Sequence, residues 1–333
     1  MPRPSLAALA CALALIACAP ALAADCSDRQ SAGYRVLALD DGRKVAVWYP
    51  AAVAERVSNP RSSGFHSSVA VDAPAAACPR VPLVLFSHGL GACALQSTFV
   101  TEELARHGYV VAAPDHTDAG CAIGSDELRL DNLRTDRPLL DPASWDDRSE
   151  IGRLRDLRAV IRLVADDPQL ARIADTARVG AVGHSLGGYT VLGIAGAWPA
   201  WRMPEVKAVV AYSPYVEPFL VQRTLARLAV PVMYQGAALD WLITPSLEGP
   251  EGAFAATPPP KYFVKLAGGT HFVWTNLACA DTTGVAACLR AHGNVALIDR
   301  YTIEFLDRYL KGKPGALLTA PGRGLEAYRF EVP

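Results

Sequence analysis

Val179-Gly180-Ala181-Val182-Gly183-His184-Ser185-Leu186-Gly187-Gly188 is the stretch that decides how this chain folds. Residues 179–182 form a short apolar run, the pattern of a strand buried on both faces. Residues 186–194 read as a helix with small residues where it meets that strand. Between them, Gly-x-Ser-x-Gly makes mechanical sense only as a sharp strand-to-helix turn. Such a turn holds its serine in a strained backbone conformation and lifts the hydroxyl above the sheet. The flanking glycines keep the turn free of Cβ atoms, so neighbouring chain can pack close. Ser185 is therefore a candidate nucleophile, and the rest of the chain must supply its helpers.

Outward from this turn, strands and helices alternate. Residues 34–39 and 44–49 flank Asp40-Asp41-Gly42-Arg43 and read as a hairpin. Residues 51–80, rich in Ala, Ser and Pro, read as a long surface connection. Short apolar runs at 81–86, 109–113, 177–182, 206–212, 230–235 and 262–266 predict buried strands. Phe99, Val100 and Leu104 lie at helical spacing. Ile151, Leu154, Leu157, Ile161 and Val164 make one stripe of a helix over 149–164. Ile298, Tyr301, Phe305 and Tyr309 make another. Repeated strand-helix alternation predicts an α/β fold with a mainly parallel central sheet covered by helices on both faces. Residues 24–333 are read as a single catalytic domain.

In such sheets ligands bind at the carboxyl ends of the strands, so the helpers of Ser185 belong just after other strands. A serine hydroxyl needs a base to take its proton during attack. His271 follows the strand 262–266 through Gly268-Gly269-Thr270 and is the candidate base, with His292 and His116 as rivals. The base in turn needs an acceptor that fixes its tautomer. Asp240 follows the strand 230–235 and fills that place, with Asp281 and Asp115 as rivals. The oxyanion formed on attack needs donors. The backbone N–H groups of Leu186, at the start of the nucleophile's helix, and of Leu90, in Ser87-His88-Gly89-Leu90-Gly91, are the candidates. The loops 118–147 and 241–260, with Trp145, Trp241 and Pro258-Pro259-Pro260, are expected to flank the site and shape its selectivity.

Thirty-two basic and 33 acidic residues, without long blocks of either sign, argue against nucleic acid or an anionic membrane as the main partner. Residues 1–23 read as a signal peptide: Arg3, an apolar run from Leu6 to Ala17, and Ala21-Leu22-Ala23 as the cleavage site. Leu15-Ile16-Ala17-Cys18 also matches a bacterial lipobox, which would place a lipid anchor on Cys18. Either way the protein is expected to be exported, and no later run is long enough for a transmembrane segment. Six cysteines remain: Cys26, Cys78, Cys93, Cys121, Cys279 and Cys288. In an oxidising compartment they read as disulfide staples. Cys279 and Cys288, close in sequence around a polar turn, are the favoured pair. No C-x2-C spacing points to a metal, and no cofactor is implied.

These residues resemble known hydrolases. Residues 86–92, 104–113 and 183–188 are similar to the secreted platelet-activating factor acetylhydrolases and to bacterial dienelactone-hydrolase-like esterases. Asp175-Thr176-Ala177-Arg178-Val179-Gly180 and Gly268-Gly269-Thr270-His271 resemble bacterial cutinase-like polyester hydrolases. The likeness covers roughly residues 44–312 and points to the α/β-hydrolase superfamily. It implies the chain order nucleophile, acid, base, which Ser185, Asp240 and His271 follow. Two positions depart from these patterns. Where the animal acetylhydrolases carry their acid, this chain reads Tyr212-Ser213-Pro214. Where polyester hydrolases carry an aromatic residue and a methionine, it has Leu90 and Leu186. The function expected is a secreted serine carboxylic ester hydrolase working through an acyl-enzyme on a small-molecule ester. The alternatives are a cutinase-like polyester hydrolase or lipase, a serine peptidase, or a non-catalytic binding protein on a hydrolase fold.

Overall fold

The computed structural model describes residues 30–58, 67–121, 123 and 129–333. Residues 1–23, read as a targeting segment, with Cys18, and Cys26 lie outside the described residues. The strands are β1 (Ser31–Ala38), β2 (Lys44–Ala51), β3 (Arg56–Ser58), β4 (Ser67–Val71), β5 (Val81–Ser87), β6 (Val110–Pro114), β7 (Ala174–His184), β8 (Val206–Tyr212), β9 (Val232–Ala237), β10 (Lys261–Leu266) and β11 (Leu325–Glu331). They form one sheet in the order β11-β10-β9-β8-β7-β5-β6-β2-β1-β4-β3. From β10 to β6 all neighbours run parallel. Antiparallel β2 and β11 close the two sides of this block.

The expected hairpin is β1–β2, with Ala38 opposite Lys44. The strands β3 and β4 fall in the segment read as a plain connection, and β11 lies beyond the last element expected. β3 and β11 are the two edges of the sheet and β4 lies beside β3; all three are short or half-exposed and carry little apolar periodicity.

Side chains of the central strands alternate between two cores, as the two-residue repeat requires. Leu83 and Leu85 of β5 join one core, Val84 and Phe86 the other. The first face is covered by α2 (Ile151–Asp166), through Leu154, Leu157, Val160 and Val164. The second is covered by α1 (Thr98–Arg106) and α4 (Gly293–Lys311), through Phe99, Leu104, Ile298, Phe305 and Leu306. Full burial of each such side chain stabilises the fold by about 1.5–3 kcal/mol. Between β7 and β8, α3 (Leu186–Leu192) carries the nucleophile turn at its amino end.

Candidate active site

Ser185 stands between β7 and α3 with φ 55 and ψ −117, a region costly for any residue but glycine. Such strain costs about 1–3 kcal/mol and persists only where the surroundings enforce it. Here its N–H donates to Tyr212 O (2.9 Å), and its carbonyl accepts from Tyr189 N and Tyr215 N (3.1 Å each). A Cβ on Gly183 would meet Gly187 O at 2.3 Å, so the turn excludes a side chain there. The Oγ of Ser185 makes no hydrogen bond among the described residues. It opens into a cleft of about 370 Å³ shared with Gly89, Leu90, His271, Phe272 and Leu277.

His271 and Asp240 come together from the ends of β10 and β9. Asp240 Oδ2 accepts from His271 Nδ1 at 3.0 Å, which leaves Nε2 as the nitrogen available to Ser185. Free enzymes commonly show loose serine–histidine geometry that tightens on substrate. Asp240 is almost wholly buried. Burial alone would raise its pKa, but hydrogen bonds from His271 and Ser213 outweigh it and hold the carboxyl below its ordinary range. Ser213 was noted in the sequence only as a missing carboxylate. It donates to Asp240 Oδ2 through a short bond and lies 3.2 Å from His271 Nδ1. His184 holds the candidate base through its main chain. Its Nε2 donates to His271 O (2.8 Å), and its ring lies between those of His271 and Trp274. Burial and the neighbouring His271 push the His184 pKa down to about 3, so the ring is neutral.

The two candidate oxyanion donors are both free. Leu186 is the first residue of α3, so its N–H has no acceptor within the helix. The N–H of Leu90 has no hydrogen-bond acceptor among the described residues, whereas that of Gly89 is taken by Gln96 Oε1 (2.8 Å).

The rival residues sit elsewhere. His292 Nε2 pairs with Asp281 Oδ1 (2.7 Å) at the surface. Asp115 accepts from Ala94 N and Ile123 N, and His116 is buried behind the oxyanion loop. The loops expected to shape selectivity contribute little. Of the described residues in 118–147 and 241–260, only Cys121 lines the cleft. Trp145 is 1% exposed and packs against Tyr189 and Tyr215. The walls come instead from residues 89–96 and 271–277. Cys121 is there because it is disulfide-bonded to Cys93, which ties the candidate oxyanion loop to the segment after β6. Cys279 and Cys288 form the expected second bridge. Cys78 is also disulfide-bonded.

Among the described residues no group of three or more His, Cys, Asp and Glu side chains is arranged to hold a metal ion. No helix among them is long and apolar enough to cross a membrane.

A sequence profile of the alpha/beta hydrolase family matches residues 84–327, well over half of the chain. The chain belongs to that family. It is 26% identical to platelet-activating factor acetylhydrolase of the dog, over 40% of this chain and 38% of that protein. It is 30% identical to the guinea pig (Cavia porcellus) acetylhydrolase, over 34% of this chain and 31% of that one. The match thus spans only about a third of these relatives' length. Among solved structures, a ferulic acid esterase from Streptomyces cinnamoneus superposes with a TM-score of 0.67 at 23% identity, covering 92% of this chain and 98% of that one. At that identity the likeness is one of fold.

Proposed function

We propose that this protein is an exported serine carboxylic ester hydrolase that works through a Ser185–His271–Asp240 triad and an acyl-enzyme. Ser185 Oγ attacks the ester carbonyl while its proton passes to His271 Nε2. Asp240 keeps the other ring proton on Nδ1 and stabilises the imidazolium. The N–H groups of Leu90 and Leu186 receive the charge that develops on the carbonyl oxygen. Collapse of the tetrahedral intermediate expels the alkoxide, which takes the proton back from Nε2. Water, with His271 again as base, then attacks the acyl-serine and releases the acid. The observation that carries this reading is a strained, open serine sharing a cleft with an imidazole whose far nitrogen is bonded to a buried carboxylate.

The substrate we propose is a small ester with a short or compact acyl group. A cleft of about 370 Å³ lies at the low end for small-molecule sites, and the acetylhydrolase relatives point the same way. Six cysteines in even number and the leader-like residues 1–23 support export. Residues 24–333 would then work as one catalytic domain, with Cys18 as the anchor if it is lipidated.

The test is covalent labelling by a fluorophosphonate, followed by a graded p-nitrophenyl ester series beside a 2-acetyl phospholipid, a feruloyl ester and a polyester film. Labelling lost in Ser185→Ala, with fastest turnover on short acyl groups, is the expected result. Film breakdown would favour the cutinase reading, and cleavage of peptides but not esters the peptidase one. Absence of labelling in the wild-type protein would overturn the enzymatic reading in favour of a binding protein.

A further inference from the structure

Behind the oxyanion loop lies a second serine–histidine–aspartate chain. Ser87 Oγ is 2.9 Å from His116 Nε2, and His116 Nδ1 is 2.8 Å from Asp156 Oδ2. Arg43 clamps Asp156 with two bonds of 2.7 Å. This chain is no second nucleophilic centre, because Ser87 is 0% exposed and Arg153 Nη1 sits on its oxygen at 3.2 Å.

The available donors and acceptors fix the direction of every bond in it. Arg153 has only donors, so Ser87 accepts from Nη1 and gives its own proton to His116 Nε2. His116 then carries its ring proton on Nδ1, toward Asp156. The main-chain N–H of His116 donates to His88 Nε2 at 3.0 Å. The proton of a neutral His88 therefore lies on Nδ1, which donates to Gly89 O at 2.7 Å. Gly89 O also accepts from Ala92 N. Arg153 Nη1 donates a second time, to His88 O at 2.8 Å, while its Nη2 is held by Asp118 Oδ2 at 2.6 Å. Two successive carbonyls, those of His88 and Gly89, are thus drawn inward by buried donors. The Gly89–Leu90 peptide is trans, and a trans peptide points its N–H opposite to its C=O.

We infer that Arg153, His116 and His88 are positioning residues that turn the Gly89–Leu90 peptide so that its N–H faces the acyl oxygen above Ser185. The inference rests on the ester-hydrolase reading and deepens it. The electrostatics agree with the bond directions. Burial, with His116 and Arg153 nearby, pushes His88 down to about 3, and burial with Arg153 lowers His116. Both rings are thereby kept neutral, as the assigned tautomers require. Asp118 is held near 2, with Arg153 overcoming the cost of its burial, so the guanidinium keeps its counter-ion. A buried arginine bonded to the carbonyl two residues before the oxyanion donor has a purpose that packing alone does not supply.

The test replaces the buried ion pair as a unit, Arg153→Met with Asp118→Asn, so that neither charge is left unpaired. A misaligned donor is felt in the transition state more than in the ground state. The double variant is expected to lower kcat on p-nitrophenyl acetate by about 10- to 100-fold and to leave KM within about threefold. Affinity for an alkyl boronic acid, which forms a tetrahedral adduct on the serine, should fall by the same factor as kcat/KM. A second pair of variants does not disturb the ion pair. His88→Ala should lose activity similarly, and His88→Asn, whose amide N–H stands where Nδ1–H stood, should recover most of it. If the double variant does not fold, the His88 pair decides alone. Folded variants that turn over within twofold of wild type, or His88→Asn no better than His88→Ala, overturn the inference. Wild-type protein without turnover, or Ser185→Ala with undiminished turnover, overturns the ester-hydrolase reading and this inference with it.

Discussion

Gly187→Ala probes how tightly the nucleophile turn is seated on the oxyanion loop. A Cβ at Gly187 would lie 1.9 Å from Ser87 O and 2.7 Å from His88 O. Ordinary contact begins at 3.4 Å, so the Ser87 oxygen would have to retreat by about 1.5 Å. Neither side yields easily. The Cβ is fixed to the backbone of α3, and Ser87 ends β5, where it pairs with Gly183 of β7. Overpacking costs about 1–3 kcal/mol where side chains can adjust, and here only main chain can move. We therefore expect a loss at the upper end, about 3 kcal/mol, and a fall in Tm of roughly 5 °C or more. The displacement also falls on the two peptides just before the Gly89–Leu90 peptide, whose N–H is the proposed oxyanion donor. A misplacement of about 1 Å can cost on the order of a hundredfold in rate. Thermal unfolding and kcat/KM on p-nitrophenyl acetate read the two effects. Gly293→Ala, where a Cβ meets nothing within 4 Å, serves as the control and should match wild type in both. A Gly187→Ala protein melting within about 1 °C of wild type, with activity within twofold, would refute the packing argument.

Three further outcomes are expected. Asp240→Asn should lower kcat by several hundredfold or more, since the wrong tautomer of His271 is then favoured. Adding Ser213→Asp should recover part of it, because Ser213 Oγ already lies 3.2 Å from His271 Nδ1 and its φ of 38 suits aspartate. No recovery would mean that the position does not face the base. Burial raises Glu102 to about 7 from its ordinary 4.5, while Arg106 keeps its own charge on Glu55 as well. A carboxyl raised in this way contributes stability in full below about pH 4.5, and the contribution is lost as the pH rises through about 7. Glu102→Gln should therefore flatten the decline in unfolding free energy between those values, and an unchanged slope in urea titrations counts against it. Finally, Cys93→Ser with Cys121→Ser should cost about 3–4 kcal/mol, and Cys279→Ser with Cys288→Ser about 2–3, because the bridges span 28 and 9 residues. The reverse order in denaturant unfolding would exclude loop closure as the cause.

Much of the site was legible before any coordinate. The Gly-x-Ser-x-Gly turn declares itself because its backbone demands small residues at fixed offsets. Asp240 and His271 could be chosen because helpers of such a serine follow strands at one sheet edge. Which of them meet is visible only in space, where His292 and Asp281 hold each other and His271 bonds to Asp240. Trp145 misled for the opposite reason. An aromatic in a polar loop looks available, yet it fills a gap between Tyr189 and Tyr215.

By itself, the sequence determined what near neighbours control: the alternation of strand and helix, the strained serine, and the short disulfide between Cys279 and Cys288. Periodicity and turn chemistry act over a few residues, so they can be read in one dimension. Only the tertiary structure decided what depends on segments meeting from afar. Ser213 joins Asp240 and His271 because β8 lies beside β9, and Arg153 reaches the carbonyl of His88 because α2 packs on β6 and β7, the strands on either side of β5. Among the described residues the cleft takes its walls mainly from 89–96 and 271–277, with Cys121 the one contribution of the longer loops. Those meetings follow from strand order and helix crossing, and no local pattern encodes either.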